Sequence, residues 1–248
     1  MHTAGYRALG LDFVYVPFKV TEVGGALAGM RALGIRGFGV SYPHKLAVLP
    51  LLDVVAPVAR RIGAVNTIVN DAGRLTGHNT DWIGAVRALE EVRPLADARV
   101  LLLGAGGAAR AVAFGLRERG AKVIVANRDV GKAEALAGDV GGDFAPLGDA
   151  PSFLPRSDVV VNATTRGMAG VDPSPPLPAE ALNSGHVVMD LVYKPLETDL
   201  LRHARDRGAT AIHGGRMLLH QAAEQFALYT GQPAPLDAMD AALRAAIA

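Results

Sequence analysis

LLLGAGGAARAVAFGLRERGAKVIVANRD, residues 101–129, is the stretch whose reading decides the fold. An apolar run ends in Gly104-Ala105-Gly106-Gly107-Ala108-Ala109, a helical pattern follows, and Val123-Ile124-Val125 marks a second β-rich run. Strand, glycine turn, helix and strand in that order form the unit that holds a dinucleotide. Each small residue has a physical task in it. Gly104 allows the tight turn, Gly106 lets the backbone approach a pyrophosphate, and Ala109 lets the helix pack closely on the strand. The helix N-terminus then presents unpaired N–H groups to phosphate charge.

The end of the second strand selects the cofactor. Folds that bind NAD usually carry Asp or Glu there, accepting from the ribose 2′-hydroxyl. Here Asn127-Arg128 stands instead, a neutral amide followed by a planar cation suited to a phosphate. That predicts NADP rather than NAD. Asp129 opposes it, since a carboxylate repels a 2′-phosphate, and Lys132, about one helical turn on, restores the balance. The alternative for Arg128 and Lys132 is a solvated helix start.

Composition bounds the rest. The chain has 248 residues, 50% of them apolar, enough for one large or two small domains with cores of their own. A net charge of +1 gives no reason to expect nucleic acid or an anionic membrane as partner. The absence of cysteine removes disulfides, thiolate catalysis and zinc–thiolate sites, and no metal is expected. Met1-His2-Thr3-Ala4-Gly5-Tyr6-Arg7 is not a signal-peptide pattern, and no apolar run reaches bilayer length. A cytoplasmic location is the expectation.

Outward from the glycine turn, periodicity predicts an α/β chain in two domains. Phe13-Val14-Tyr15-Val16 reads as a strand, Val23 to Leu33 as a helix stopped by Gly34, and Gly37 to Val40 as a strand entering the turn Ser41-Tyr42-Pro43. Ala64 to Val69 and Leu75 read as a hairpin around Asp71-Ala72-Gly73. Asp81 to Arg93 reads as a helix ending before Pro94. Val159-Val160-Val161 and Val187 to Leu191 are buried-type parallel strands, and Asp172 to Pro178 is a proline-rich loop. Helices are expected over Met217 to Tyr229 and Leu236 to Ile247. The expected division is a discontinuous α/β substrate domain, 1–82 plus 216–248, and a Rossmann-type dinucleotide-binding domain, 83–215, with a cleft between them.

Away from the glycine turn, four segments combine: Ser41-Tyr42-Pro43-His44-Lys45, Gly63-Ala64-Val65-Asn66-Thr67, Gly77-His78-Asn79-Thr80-Asp81 and Gly215-Arg216-Met217-Leu218-Leu219-His220-Gln221. Asn162-Ala163-Thr164-Thr165-Arg166-Gly167-Met168 and Asp190-Leu191-Val192-Tyr193-Lys194-Pro195 join them. With the glycine turn, these motifs run in order along the whole chain and closely resemble the shikimate dehydrogenase family. Quinate/shikimate and aminoshikimate-type dehydrogenases share the pattern.

The chemistry is arguable from the residues as well. Oxidising a ring hydroxyl by hydride transfer also requires removal of its proton, and a positioned acid–base group contributes ~10²–10⁴-fold. Lys45, after a proline-fixed turn, and Asp81, opening a helix, are suitable partners; either alone reads as a surface charge. The resemblance implies that this pair is catalytic, with Lys45 transferring the proton and Asp81 orienting it and binding hydroxyls. Asn66 and Gln221 can each offer amide donors and an acceptor to a vicinal diol, and the resemblance implies that both contact substrate. It also places Ser41 and Tyr193 at the substrate and Thr164 at the cofactor. Met217 is expected against the nicotinamide pocket, and Gly215 is expected to let the backbone approach the nicotinamide amide. Arg166 reads as a contact to cofactor phosphate or as a solvated charge.

Two departures stand out. Family members open with a strand, a Ser-x-Ser motif that binds the substrate carboxylate, and His-Asn, whereas Met1-His2-Thr3 matches only the end of that segment. The expectation is a natural protein about twenty residues longer, room for one strand and its loop. The rival is a short paralogue with a weakened carboxylate site. Secondly, Gly39-Val40-Ser41 replaces a common Asn-Val-Thr; Ser41 keeps the hydroxyl, while Gly39 leans toward quinate-tolerant branches. The resemblance therefore implies reversible NADPH-dependent reduction of 3-dehydroshikimate to shikimate by an oxidoreductase of aromatic amino-acid biosynthesis. Alternatives are a quinate/shikimate or aminoshikimate dehydrogenase, or a nucleotide-binding paralogue without turnover. The partner expected is this small molecule, with a homodimer compatible with the reading.

Overall fold

The computed structural model describes residues 1–41 and 43–247, so Tyr42 of the expected turn lies outside the described residues. The chain divides into two compact α/β units, one formed by Met1–Asp81 with the chain from Gln221 onward, the other by Trp82–His220.

The first unit begins with α1 (His2–Ala8) and α2 (Val23–Ala32), followed by β1 (Gly37–Gly39), β2 (Val54–Val55), α3 (Pro57–Ile62), β3 (Thr67–Asp71) and β4 (Arg74–His78). The Glu22 carboxylate caps α2 by accepting from Gly24 and Gly25 N–H, and Gly34, at φ +62°, stands just beyond its end. Strand order is β1-β3-β4-β2, antiparallel except for the parallel β2–β4 pair. The hairpin lies where the sequence places it. Ala72 and Gly73 both have positive φ, the twist that two-residue hairpin loops need, and Asn70 Oδ1 accepts from Gly73 N–H at 2.7 Å. Leu27, Met30, Ala59, Val65, Ile68 and Leu75 form the core beneath this sheet.

The strand expected over Phe13–Val16 does not form. This segment has no regular structure, and Val14 is 82% exposed. Its composition favours a strand, but a strand exists only through its ladder, and no described strand pairs with it. Ring contacts hold it instead: Tyr15 stacks on His2 with centroids 4.2 Å apart, and Phe13 lies 5.3 Å from Tyr6.

The second unit carries α4 (Asp81–Glu90, its first residue in the first unit), β5 (Arg99–Leu103), α5 (Gly107–Glu118), β6 (Lys122–Asn127), α6 (Val130–Val140), β7 (Asp143–Pro146), α7 (Ala150–Phe153), β8 (Val159–Asn162), β9 (Val187–Asp190), α8 (Asp199–Asp206) and β10 (Thr210–His213). α9 (Gly214–Thr230) starts here and ends in the first unit, where α10 (Leu236–Ile247) follows. α4 stops three residues short of the expected Arg93; Glu91 N–H still bonds Arg87 carbonyl, while Val92 and Arg93 N–H both turn onto Leu89.

All six strands are parallel, in the order β10-β9-β8-β5-β6-β7. β5 is buried on both faces, as its unbroken Val-Leu-Leu-Leu run requires. Leu101 and Leu103 pack with Val160, Val188, Leu200 and Leu201, each fully buried leucine contributing ~1.5–3 kcal/mol. The chain winds from β5 outward through β6 and β7, then returns to β8 on the other side. Such a reversal opens the binding crevice at the carboxyl ends of β5 and β8. At the opposite end, Arg99 Nε and Nη2 donate to Asp158 at 3.0 and 2.8 Å, and Arg99 N–H donates at 2.8 Å. No helix among the described residues is long and apolar enough to cross a membrane.

Candidate active site

In the first unit, two expected polar residues converge on a third, and a fourth joins through one of them. Lys45, on the turn after β1, donates from Nζ to Asp81 Oδ2 at 2.7 Å. Asp81 opens α4, and its N–H is capped by Asn79 Oδ1 at 3.0 Å. Asn66, only 2% exposed, precedes β3 and donates from Nδ2 to Asp81 Oδ1 at 2.9 Å and to Gln221 Oε1 at 3.2 Å. The carboxylate is thus gripped by a cation on one oxygen and an amide on the other. Ser41 lies at the exposed start of the turn, where its carbonyl accepts from His44 N–H.

Thr67 and Thr80, which the motifs contain without a role, and Gln225, which they do not reach, hold this cluster in place. Asn66 Oδ1 accepts from Thr67 Oγ1 at 2.8 Å and from Thr80 N–H at 2.7 Å, which fixes the amide with its nitrogen toward Asp81. Gln225, one helical turn beyond Gln221, donates to Thr67 Oγ1 at 3.0 Å and to Asn66 carbonyl at 3.2 Å. The signal for Gln225 was present in the i, i+4 spacing of two glutamines on α9.

In the second unit, the glycine turn sits at the carboxyl end of β5. Gly104 has φ +106°, and a Cβ there would meet Ala163 carbonyl oxygen at 2.9 Å, so only glycine fits. A Cβ on Gly106 or Gly107 would meet nothing, leaving open space over the helix start. Gly106 caps α5 without a side chain, and Arg110 N–H is the first to bond back, to Gly106 carbonyl. The N–H groups of the first turn are therefore available to an anion. Ala105, Gly107 and Ala108 surround them, and buried Ala109 packs inward.

At the end of β6, Asp129 is used as the N-cap of α6: Oδ1 accepts from Lys132 N–H at 3.2 Å, and Lys132 Nζ lies 3.5 Å from Oδ2. Asn127 Nδ2 donates to Asp129 carbonyl. Arg128 is exposed and has no ion-pair partner among the described residues. The acid that seemed to oppose a phosphate is thus turned into a helix cap, and the neighbouring guanidinium is left to the solvent side. These groups fit a 2′-phosphorylated dinucleotide: an anion cradle at α5, open space at Gly106, and a cation at β6.

The remaining expected residues fall in the second unit. Thr164 Oγ1 donates to Asn162 Oδ1 at 2.7 Å, so its hydroxyl shapes the loop after β8. Arg166 lies 3.6 Å from Asp172. Tyr193 is 44% exposed on the loop after β9. Met217 is buried on α9, and a Cβ on Gly215 would meet His213 Nδ1 at 2.8 Å. Gly214, which sequence reading passed over, is tighter still: a Cβ would lie 2.5 Å from Leu191 carbonyl oxygen. Among the described residues no group of His, Asp or Glu is placed to hold a metal.

An α/β dinucleotide-binding fold with a Lys–Asp pair defines a class of nicotinamide-dependent oxidoreductases. Three family models match the chain: "Shikimate dehydrogenase substrate binding domain" over residues 1–68, "Shikimate / quinate 5-dehydrogenase" over 87–172, and "Shikimate 5'-dehydrogenase C-terminal domain" over 214–244. A protein of Moorella thermoacetica named shikimate dehydrogenase (NADP(+)) is 47% identical over 259 residues, covering 100% of this chain and 88% of that protein. A solved shikimate dehydrogenase in complex with NADP+ superposes with TM-score 0.94 at 41% identity, covering 100% of this chain and 90% of its own. The Thermus thermophilus shikimate 5-dehydrogenase, solved with NADP(H) and shikimate, gives TM-score 0.90 at 41% identity, covering 99% and 92%. The chain belongs to the shikimate dehydrogenase family.

Proposed function

We propose that this protein is an NADP-dependent shikimate dehydrogenase, catalysing the reversible reduction of 3-dehydroshikimate to shikimate. The observation that carries the reading is the Lys45–Asp81 pair at 2.7 Å, with Asn66 on the second carboxylate oxygen. Its support from relatives is full-length identity of 41–47% to proteins named for this activity.

When bound, NADPH supplies a hydride to the ring C3 carbonyl carbon. Residues Gly104 to Ala109 would hold its pyrophosphate at the start of α5, and Arg128, with Asn127 and Lys132, its 2′-phosphate. Lys45 donates a proton from Nζ to the oxygen that becomes the hydroxyl, and takes it back in the reverse direction. Asp81 holds the ammonium and, together with Asn66 and Gln221, orients ring hydroxyls. Thr164, Gly215 and Met217 are assigned to the nicotinamide end, and Ser41 and Tyr193 to the substrate. A homodimer and a cytoplasmic location belong to the same proposal, and sedimentation velocity tests the first.

The test is Lys45→Ala. Turnover should fall ~10²–10⁴-fold while NADP+ still binds, measured by nicotinamide absorbance and by calorimetry. Near-normal turnover would remove Lys45 from the mechanism. Gly39 favours a second reading, quinate oxidation: a Cβ there would lie 2.8 Å from Tyr15 hydroxyl, so the side chain common in relatives would need the Tyr15 ring to move aside. Comparing shikimate and quinate with each cofactor separates the two.

A further inference from the structure

Asp190 ends β9, is fully buried, and takes no part in the chemistry above. It stands directly across the ladder from Asn162, the last residue of β8. Asp190 Oδ1 accepts from Asn162 Nδ2 at 2.9 Å and from Val192 N–H at 3.0 Å, and Oδ2 accepts from Thr198 Oγ1 at 2.7 Å. Asn162 spends its other N–H on Arg166 carbonyl at 2.9 Å, and its oxygen accepts from Thr164 N–H and Oγ1. One carboxylate and one amide thereby tie both ends of the loop after β9 to the loop after β8. Thr198 also caps α8. Gly167, at φ +91°, packs against the same knot, its Cβ direction 3.6 Å from Asp190 Oδ2.

Sheet order says what these loops serve. The pyrophosphate cradle follows β5, and the 2′-phosphate groups follow β6 on one side of it. β8 and β9 lie on the other side, so their loops face the opposite half of a dinucleotide. We propose that Asp190 is a positioning residue that sets the nicotinamide half of the cofactor site by holding the loops that carry Thr164 and Tyr193. The inference rests on the dinucleotide reading above.

Burial of a carboxylate is costly, and three neutral donors only partly offset it. A valine or leucine would fill the space between two strands more cheaply. What an apolar residue cannot do is accept from Asn162, Val192 and Thr198 together, and so fix two loops with one group.

The experiment compares NADP+ with 2′,5′-ADP, which carries only the adenosine half, by calorimetry on the full chain and on Asp190→Ala, Asp190→Asn and Thr198→Val. Asp190→Ala should weaken NADP+ about tenfold or more, as small displacements do at organised sites, with 2′,5′-ADP unchanged. Thr198→Val should move NADP+ in the same direction by less. Asp190→Asn should bind nearly as the wild type, because its amide can accept from Asn162 and Val192 and donate to a Thr198 hydroxyl turned to accept. Equal weakening of both ligands, no weakening of NADP+, or an Asp190→Asn as poor as Asp190→Ala overturns the inference. If Asp190→Ala does not fold, the contrast of Thr198→Val with Asp190→Asn decides on the same ratio. A wild-type chain that binds neither ligand overturns the functional reading together with this inference, whereas normal wild-type binding with unaffected variants overturns this inference alone.

Discussion

The two ends of the parallel sheet are pinned by aspartates in opposite circumstances. At the amino end, Asp158 faces the Arg99 guanidinium near solvent, and the hydrogen bond from Arg99 holds its carboxyl at about 2, below the ordinary 3.8. At the carboxyl end, Asp190 is buried among neutral donors, and desolvation pushes its carboxyl up. Both tie neighbouring strands together. The first does so with a charge pair that water screens, and the second with directed hydrogen bonds that also shape loops. Binding crevices open at the carboxyl ends of such sheets, so precision is needed there, while the amino end needs only cohesion.

The largest test of that contrast is Gly104→Val at the carboxyl end. Its Cβ would strike Ala163 carbonyl at a backbone angle that valine rarely adopts, and NADP+ affinity should fall by ~100-fold or more in a calorimetric titration. Next comes Arg128→Ala. Loss of a charge-assisted bond should cost NADP+ about 10–100-fold and leave NAD+ almost untouched, which competition between the two cofactors reads directly. At the amino end, Asp158→Asn should lower the melting temperature yet change NADP+ affinity by less than about twofold. A larger shift in affinity would break the comparison.

The smallest effect is the pH dependence of that last variant. The folded value of Asp158 lies below its unfolded value, so its contribution is fully present above 3.8 and is lost as pH falls through about 2. The gap in melting temperature between wild type and Asp158→Asn should therefore close toward pH 2. Asp190 has the opposite sign: its contribution is greatest at low pH and declines as pH rises through its raised value. Melts of Asp190→Asn against wild type should diverge from those of Asp158→Asn over this window.

Much of this arrangement is legible in the amino-acid sequence. The glycine turn, β5, α5 and β6 follow from local chemistry: a doubly buried strand must be apolar throughout, and a backbone that meets a pyrophosphate must be small. The hairpin followed from Asp71-Ala72-Gly73. Phe13–Val16 misled because composition reports what a residue favours and says nothing of whether a neighbouring strand is there to receive it. Gly214 was silent for a related reason. Its importance lies in a distant partner, Leu191 carbonyl, that no local pattern reveals. Asp129 was legible as a charge but not as a cap, because its direction depends on where α6 begins.

Asn66 carries a consequence for selectivity. Its oxygen already accepts from Thr67 Oγ1 and from Thr80 N–H and Oγ1, and its nitrogen already serves Thr80 Oγ1, Asp81 and Gln221. In the proposed reaction, a ring hydroxyl docking there takes over an existing partnership, the longest made by the amide nitrogen being the 3.2 Å bond to Gln221. A substrate lacking that hydroxyl lets the two amides close on each other again. Rejection at this position should then fall well short of the ~10⁴–10⁵-fold found where a missing hydroxyl strands buried groups. The pocket is forgiving of what the ring lacks at that point, because it can heal itself.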